Sequence, residues 1–441
     1  MKNYLRKVSI KRIIDLRIPA PRIAKSYISK KFFNKIWEMK AKKDLQYWIE
    51  AAFLFFTFFP YIYLVPIINS DIQPYALVVS FLLAFIWFPK RIPKLYTLIL
   101  ALLFFSTLFL FLDSIELDSI RNYLGYFSLS IQIYAAYAFF KRRGIPNKFI
   151  YYAVIIWGFV GTIQWLIHPR FLQFLMKRAI GGGHGRGVFG LAAEPTFYGI
   201  VCLLFSMIVF IGNHPKKKLL ILFLFYQIIF LAKSSMIMVY LMALLGIYIL
   251  FTLNWQRLVG IALAGLGGLY LLFDLSFRFS QIRIFSIFKR FFQAGLLGVI
   301  RQDDSVNDRV AHIYYSIRGF FENNLLPHGY LSFKDYLLEE LPKSNVFWWV
   351  NKSNKILSAY GAVFWELGIF GLVLPVAITS FIWNAMKANP VNHRMILIIF
   401  THIFLFSGIP ISMPPLAFFL GLAIYKSVQN EGSSNSQLLP Q

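Results

Sequence analysis

Cysteine and acidic residues are both scarce in this sequence of 441 residues. The single cysteine, Cys202, excludes an intrachain disulfide. Aspartate and glutamate together number 19 against 45 lysines and arginines, so the formal net charge is +26. The sequence also lacks a Walker or Rossmann glycine pattern, zinc-ligand spacing, an Asp-x-Asp pair and a nucleophile elbow. These absences exclude the common nucleotide-binding, zinc and serine-hydrolase motifs.

Long hydrophobic runs are the main feature that the sequence does have. Hydrophobic residues make up 58% of the chain and mean hydropathy is +0.61, which is too apolar for a soluble protein. Several runs of about 18 residues have the length of a bilayer span. We therefore predict an all-α polytopic membrane protein with about 12 transmembrane helices and one large, partly helical outer loop before the last three spans.

The loops between these runs alternate between basic and acidic, which predicts the topology. The positive-inside rule places the basic loops and both termini in the cytoplasm. Residues 1–46 carry 14 lysines or arginines against three acidic residues, and we expect a basic cytoplasmic segment that is partly amphipathic. Residues 47–425 form the expected membrane domain, with outer loops at 168–194 and 274–356. Residues 426–441 are expected to be a disordered cytoplasmic tail.

A glycine-rich stretch with charged residues precedes one apolar run. Six glycines between residues 181 and 190 rule out a regular helix there. Pro195 suits the first turn of the next helix and biases Glu194 towards an extended conformation just before it. The positive end of this helix is then expected beside Glu194, Arg186 and His184. The alternative is a connector whose charges are solvated or paired with each other.

The long outer loop is expected to contain a helix of its own. Ser305-Val-Asn-Asp308 resembles a capping box at its start, and Asn323-Asn324 marks its end. Arg309, His312 and Ser316 share one face, whereas the apolar face is formed by Val310, Ile313, Tyr314, Ile317, Phe320 and Phe321. The loop is basic for an outer segment, which indicates an anionic ligand. Attraction to phospholipid headgroups is the alternative.

Glu366 lies two to three turns inside an apolar segment. A carboxylate at such a position faces the interior of the bundle and has a partner. A structural pair with an arginine or a helix-end amide and a functional role both remain open.

Four sequence elements together carry a resemblance to a known family. They are Arg186…Gly190…Glu194-Pro195-Thr196, Asp303-Asp304-Ser305…Arg309, Glu322-Asn323…Pro327-His328-Gly329 and Glu366-Leu-Gly368-Ile-Phe-Gly371. Their order and placement resemble those of the Wzy-type polymerases of O-antigen, capsular and exopolysaccharide repeat units. These polymerases belong with the O-antigen ligases in a superfamily of multispanning glycosyltransferases. The resemblance covers residues 181–200 and 300–372.

The resemblance implies a membrane glycosyltransferase at the outer face of the bacterial inner membrane. It would transfer a growing glycan from undecaprenyl diphosphate to a sugar hydroxyl of a lipid-linked repeat unit, with inversion and without a metal or cofactor. The implied partners are the lipid-linked donor and acceptor, membrane lipids and a chain-length regulator, with no nucleic acid. The implied catalytic residues are Glu194 as base, with Arg186 and Arg309 as diphosphate ligands. The substrate-binding candidates are His184, His312, Arg318, His328, Lys352 and Glu366.

Two alternative functions remain open on the sequence. O-antigen ligases typically carry a His-Asn pair where this chain has Ser353-Asn354, which favours a polymerase. A flippase for lipid-linked oligosaccharides would bury cations within several spans, whereas almost all lysines and arginines here lie in loops or at the ends of hydrophobic runs.

Overall fold

This computed structural model describes residues 45–436, except for 66–69, 88–91, 114, 178–186, 253–254, 281–282, 303, 345–346, 351 and 407. The chain divides into two compact units, Met1–Trp48 and Ile49–Gln441. The basic segment expected over residues 1–46 therefore lies almost entirely outside the described residues. The second unit contains the candidate site.

The described residues form helices joined by turns, and the all-α expectation is confirmed for them. Only an isolated antiparallel bridge, between Ile62 and Met176, has β character there. The first helix is α1 (Leu45–Phe58). The others are α2 (Tyr75–Ile86), α3 (Thr97–Leu112), α4 (Leu117–Arg143), α5 (Asn147–Leu166), α6 (Pro195–Ile211), α7 (Lys217–Tyr226), α8 (Ser235–Thr252), α9 (Trp255–Arg278), α10 (Arg283–Gln302), α11 (Asp304–Glu322), α12 (Phe333–Glu340), α13 (Ala359–Leu367), α14 (Val373–Ala385), α15 (Val391–Leu405) and α16 (Pro414–Ser436).

Fewer helices than expected are long and apolar enough to cross a bilayer. Within the described ranges there are three, Lys94–Leu112, Asn147–Leu166 and Ala359–Ala385. Five shorter apolar helices accompany them: Leu45–Phe58, Tyr75–Ile86, Pro195–Ile211, Met236–Thr252 and Val391–Leu405. The expected count of twelve is therefore not supported. The prediction from hydropathy treated every apolar run as a span, although several of these runs form helices shorter than 18 residues.

The helix α4 supplies much of the buried centre of the bundle and is more polar than a span facing lipid. Ser128, Ser130 and Gln132 are all buried, and Gln132 donates to the Ser128 hydroxyl. Helices α2, α3 and α16 pack against α4. Hydrogen bonds from Ser130 to the Tyr126 carbonyl and from Gln132 to Ser128 offset part of the cost of burying these groups.

Residues 426–436, expected to be part of a disordered tail, instead continue α16. Asn430 fixes this extension, because its side-chain amide donates to the carbonyls of Asn384 and Ala385 at the end of α14. Ser427 is fully buried. Composition favours disorder here, but the helix is stabilised by contacts with a distant part of the chain. Residues 437–441 lie outside the described residues.

The long outer segment is mainly helical, and α11 ends as expected. It stops at Glu322, and Asn324 and Leu325 then take left-handed backbone conformations with φ of 52° and 65°. Its start differs, because the helix begins at Asp304 and includes Ser305 rather than being capped by it.

The buried face of α11 matches the apolar face that the sequence indicates only in part, since Phe320 of that face is buried and Ile317 packs against the core. Tyr314 and Phe321 are 48% and 65% exposed. The fully buried positions include Ala311, His312 and Ser316. The helix turns its small and polar residues inward because it packs closely against α13.

The close packing of α11 on α13 depends on two glycines. A Cβ atom on Gly319 would clash with the indole ring of Trp365, and one on Gly361 would clash with the Ser316 hydroxyl. Trp365 is 1% exposed and belongs to a small second core in the outer segment with Ala311, Tyr315, Phe333 and Leu337. This core joins the outer segment to the bundle.

A second attachment lies at the end of α3. The Asp113 carboxylate accepts a hydrogen bond of 2.8 Å from the Tyr330 amide, and the Tyr330 hydroxyl donates to the Ser106 carbonyl. Gly329, with φ of 84°, allows this approach, since a Cβ atom there would lie 2.7 Å from Asp113 Oδ2. The turn that the sequence predicts at Pro327–Gly329 is therefore held against the bundle.

Substituting Gly319 by alanine should loosen the contact between α11 and α13. We expect a loss of about 1–3 kcal/mol, because the Trp365 ring that blocks the new methyl group is itself packed on both sides. Thermal unfolding of the purified protein in detergent measures this. The control is Gly246→Ala in α8, where no atom lies within 4 Å of the new Cβ. That variant should gain up to about 1 kcal/mol from helix propensity. Equal melting temperatures for the two variants would contradict the packing role of Gly319.

Candidate functional site

The described end of the glycine stretch, residues 187–194, is a largely buried segment of backbone leading into α6. Val188, Phe189, Leu191, Ala192 and Ala193 are all at most 7% exposed. The Val188 amide donates to the Leu231 carbonyl, and a Cβ atom on Gly187 would clash with the neighbouring Ala232 carbonyl. Gly187 thus allows the backbone at Leu231 and Ala232 to pack closely against this segment.

Gln164 of α5 fixes the turn at Gly190. Its amide donates to the Gly190 carbonyl at 2.8 Å, and its carbonyl accepts from the Gly190 amide at 2.7 Å. Gly190 has φ of 59° and lies against the Tyr198 ring. The segment before Glu194 is therefore rigidly positioned by side chains from α5 and α6.

The conformation that the sequence predicts at the start of α6 is confirmed. Pro195 is the first helical residue, and Glu194 precedes it in an extended conformation with φ of −154° and ψ of 163°. The Glu194 side chain makes no capping hydrogen bond to the helix. It is thus available to other partners.

Glu194 and Arg309, two of the predicted catalytic residues, meet in the structure. Arg309 Nη2 lies 3.3 Å from Glu194 Oε1, although the residues are 115 positions apart. The Arg309 side chain is 17% exposed and the Glu194 side chain is 26% exposed. A half-buried pair is less screened by water than a surface pair. The contact brings a cation and a proton acceptor to one place.

Thr196, two residues after Glu194 in α6, pairs with a hydroxyl of the next hairpin. Thr196 and Ser234 share a hydrogen bond of 3.1 Å, and Ser234 is 7% exposed. We call Glu194, Arg309, Thr196 and Ser234 the Glu194 site. Beside Arg309, Gly408 contributes no side chain, and a Cβ atom there would lie 3.7 Å from Arg309 Nε. Gly408 thus lies close to the guanidinium of Arg309.

Lys233, which precedes Ser234, has a left-handed conformation with φ of 44° and lies over the Trp165 ring at 5.4 Å. Its side chain is exposed. This geometry is that of a cation–π contact between the lysine and the indole ring.

Two predicted site residues, His184 and Arg186, lie outside the described residues. Their placement relative to Glu194 therefore stays a prediction.

His312 is fully buried, and its Nδ1 accepts a hydrogen bond from the Leu357 amide at 3.3 Å. Its Nε2 lies 3.4 Å from Asp308 Oδ1 without forming a hydrogen bond in the described part of the chain. The imidazole fixes the chain that enters α13. It is thus one helical turn from Arg309 but has no exposed atom to offer a substrate.

His328 and Glu366 also have structural partners. The His328 ring stacks on Trp365 with centroids 3.8 Å apart, and its Nε2 lies 2.9 Å from the Gly319 carbonyl. Glu366 is 6% exposed and accepts a hydrogen bond from the Tyr126 hydroxyl. A tyrosine thus takes the place of the arginine or helix-end amide expected as its partner.

Arg318 lies on α11 but belongs to a charged network away from the Glu194 site. Its guanidinium is 2.7 Å from Glu322 and 3.0 Å from Glu340. The hydrogen bond to Glu322 raises the pKa of Arg318. Two carboxylates would oppose the approach of a diphosphate. Lys352 is exposed in the loop before α13.

Two residues that the sequence did not indicate help to form this region. Gln164 positions Gly190, and Tyr61 places its ring 5.7 Å from Phe197 in the first turn of α6. A glutamine within an apolar helix was a usable signal for Gln164. Tyr61 had none, because tyrosines are frequent here, with 24 in the chain.

The site combines two capabilities. A guanidinium can bind the oxygens of a phosphate leaving group, and a carboxylate beside it can accept a proton. Within the described ranges, no group of three or more His, Cys, Asp or Glu residues is placed to hold a metal ion.

The network around Arg318 predicts a pH dependence of stability. A hydrogen bond from Tyr336, followed by one from Arg318, lowers the pKa of Glu322. A carboxylate with a lowered pKa stabilises the fold above its ordinary pKa, and this contribution is lost as the pH falls through the folded-state value. Glu322→Gln should therefore lower the melting temperature at pH 7 but not below about pH 4. The effect will be small, since Glu322 is 45% exposed.

Glu339→Gln is the matched control, because the Glu339 side chain is 71% exposed. It should not change the melting temperature at either pH. A difference between Glu322→Gln and the wild type that persists at low pH would argue against an ionised Glu322 as the source.

No protein-family model matches this chain, and no curated protein matches it either. The interpretation of the Glu194 site therefore depends on its residues and their geometry.

Proposed function

We propose that this protein is a membrane glycosyltransferase that polymerises lipid-linked oligosaccharide repeat units. The observation that carries the proposal is the contact between Glu194 and Arg309. Their segments were singled out separately in the sequence by their resemblance to Wzy-type polymerases. Their proximity is what a reaction with an anionic leaving group and a hydroxyl nucleophile requires.

The proposed reaction assigns one step to each residue. A hydroxyl oxygen of the acceptor sugar attacks the anomeric carbon of the donor glycan and forms the new glycosidic bond. The bond from that carbon to undecaprenyl diphosphate breaks, and the diphosphate leaves with the electron pair. Arg309 stabilises the charge that develops on the diphosphate, and Glu194 accepts the proton of the attacking hydroxyl. Attack from the face opposite the leaving group inverts the anomeric configuration.

The proposal places the Glu194 site at the outer face of the bacterial inner membrane, with both termini in the cytoplasm. The acidic turn at Asp113 and the long outer segment, expected on the same side, are in contact. Arg143 lies at the end of α4, on the side that the basic loops are expected to share, and pairs there with Glu50 at 2.9 Å.

The position of the candidate cation favours a glycosyltransferase over a flippase. A carrier that moves a diphosphate through the bilayer needs cations inside its spans. The arginine at the Glu194 site lies instead on α11 of the outer segment.

Arg309→Lys should reduce polymer formation by at least about tenfold, because lysine keeps the charge but not the planar donor geometry. Glu194→Gln should have a similar effect, since the amide cannot accept the proton. The chain-length ladder of cells expressing each variant measures both effects. The control is Arg278→Lys, which alters an arginine whose side chain is 70% exposed. With normal membrane abundance, wild-type ladders from both test variants would remove the chemistry from this site.

Deleting the gene should distinguish the proposed polymerase function from a ligase function. A polymerase deletion leaves single repeat units on their carrier or on a terminal acceptor, with no long chains. A ligase deletion leaves long chains on the carrier without attachment. Gel analysis of the surface glycan and of extracted lipid-linked glycan measures the difference. The second outcome would establish the alternative function, despite Ser353 standing where the ligases have histidine.

A further inference from the structure

His312 connects the turn of α11 that carries Arg309 to the chain that enters α13. Its Nδ1 accepts a hydrogen bond from the Leu357 amide at 3.3 Å. The imidazole is fully buried, and its centroid lies 5.4 Å from that of the Phe333 ring in the small second core. Packing against Phe333 and the hydrogen bond to Leu357 together restrain the ring.

The chain held by His312 also lies close to the guanidinium of Arg309. A Cβ atom on Gly408 would lie 3.6 Å from the Leu357 carbonyl oxygen and 3.7 Å from Arg309 Nε. The next residue, Ser358, caps α13, because its hydroxyl accepts a hydrogen bond from the Gly361 amide at 2.9 Å. A shift of Leu357 would therefore disturb both the start of α13 and the surroundings of Arg309.

The hydrogen bond to Leu357 determines the tautomer of His312. Because Nδ1 accepts, the imidazole carries its proton on Nε2. Nε2 lies 3.4 Å from Asp308 Oδ1, although it makes no hydrogen bond among the described residues. Asp308 immediately precedes Arg309 on α11. One ring nitrogen thus faces the turn of α11 that carries Arg309, and the other binds the entrance to α13.

A purely structural role does not explain why this buried position holds a histidine. A buried polar nitrogen without a hydrogen bond costs free energy, and leucine would fill much of the same space without that cost. Leucine would, however, leave the Leu357 amide without the acceptor that His312 provides. The hydrogen bond at Nδ1 is therefore the property of His312 that requires a polar ring.

We propose that His312 is a positioning residue for the transfer reaction, which fixes the direction in which Arg309 presents its guanidinium to the donor diphosphate. His312 acts through Leu357 and the backbone at Gly408, and it does not touch the substrate. The inference rests on the proposed function and deepens it. Arg309 stabilises charge that develops as the diphosphate leaves, so its misplacement should lower the rate more than the binding of substrate.

Two amide variants of His312 test the inference in purified, reconstituted protein. Asparagine Oδ1 is bonded to Cγ, as Nδ1 is in histidine, so His312→Asn keeps an acceptor for the Leu357 amide. In His312→Gln the oxygen lies one bond further out, in the place of Nε2. Single lipid-linked repeat units from the deletion strain serve as acceptor, and lipid-linked polymer from wild-type cells serves as donor.

The two variants should differ in kcat for each folded protein molecule. His312→Gln should lower kcat at least about tenfold, because the guanidinium is no longer held in place. His312→Asn should keep most of the wild-type kcat. The half-saturating concentration of single repeat units should be unchanged in both variants. Melting temperatures give the folded fraction.

Combining His312→Gln with Arg309→Lys tests whether the effect passes through the guanidinium. If His312 acts by placing that group, its substitution should lower kcat little further once Arg309 is lysine. The two losses would then be smaller together than their product. Structural damage that is independent of Arg309 would instead multiply the loss.

His214→Gln is the matched control. His214 is 5% exposed, and its Nδ1 accepts a hydrogen bond from the Lys216 amide at 3.0 Å. The contact is of the same kind, but it lies beyond the end of α6 that is opposite to Glu194. His214→Gln should leave kcat for each folded molecule unchanged.

Each result bears on the inference. Equal kcat values for His312→Asn and His312→Gln would overturn it, as would multiplied losses in the double variant or an equal loss in His214→Gln. Failure of both His312 variants to fold would also overturn it, since His312 would then be a residue of the fold. If Arg309→Lys lowers kcat while His312→Gln does not, only the positioning role fails. If Arg309→Lys has the wild-type kcat, the proposed diphosphate site fails as well.

Discussion

The close contact between α11 and α13 is the constraint on which the candidate site depends. Gly319 and Gly361 remove the side chains that would hold the two helices apart, and Trp365 fills the space beside them. Close packing of this kind fixes both the distance and the rotation of α11. Arg309 lies two to three turns from Gly319 on the same helix, so the contact determines where its guanidinium points.

The Glu194 site is assembled from segments that are far apart in the chain, and each is restrained separately. Gln164 holds the turn at Gly190, and Pro195 fixes the start of α6. Asp113 holds the outer segment through Tyr330. A reaction that aligns two lipid-linked substrates needs rigid groups, because small misplacements cost much of the rate.

Two arginines of α11 show how partners, rather than residue type, assign a role. Arg309 contacts Glu194 and lies close to Gly408. Arg318 lies about two and a half turns further along, where Glu322 and Glu340 both contact it. A phosphate would have to displace two carboxylates to reach Arg318. The first arginine is therefore suited to ligand binding, and the second stabilises the outer segment.

Several local features were determined by the sequence itself. The extended Glu194 before a helix beginning at Pro195 follows from the restrictions of proline on itself and on its predecessor. The end of α11 near Asn323 and the turn at Gly329 likewise follow from residues that favour left-handed backbone. The helical class follows from hydropathy. These properties involve neighbours in the chain, so the sequence is sufficient to predict them.

Tertiary structure decided the features that depend on distant contacts. The buried positions of α11 include Ala311, His312 and Ser316 as well as aromatic residues, because α13 packs there. Amphipathicity indicated only part of this face. Residues 426–436 are helical because Asn430 binds the end of α14. The partner of Glu366 and the hydroxyl of Tyr61, unpartnered among the described residues, likewise depend on which segments of the protein pack together. A local sequence pattern does not predict these long-range contacts, since the free energy of packing arises between helices rather than within one of them.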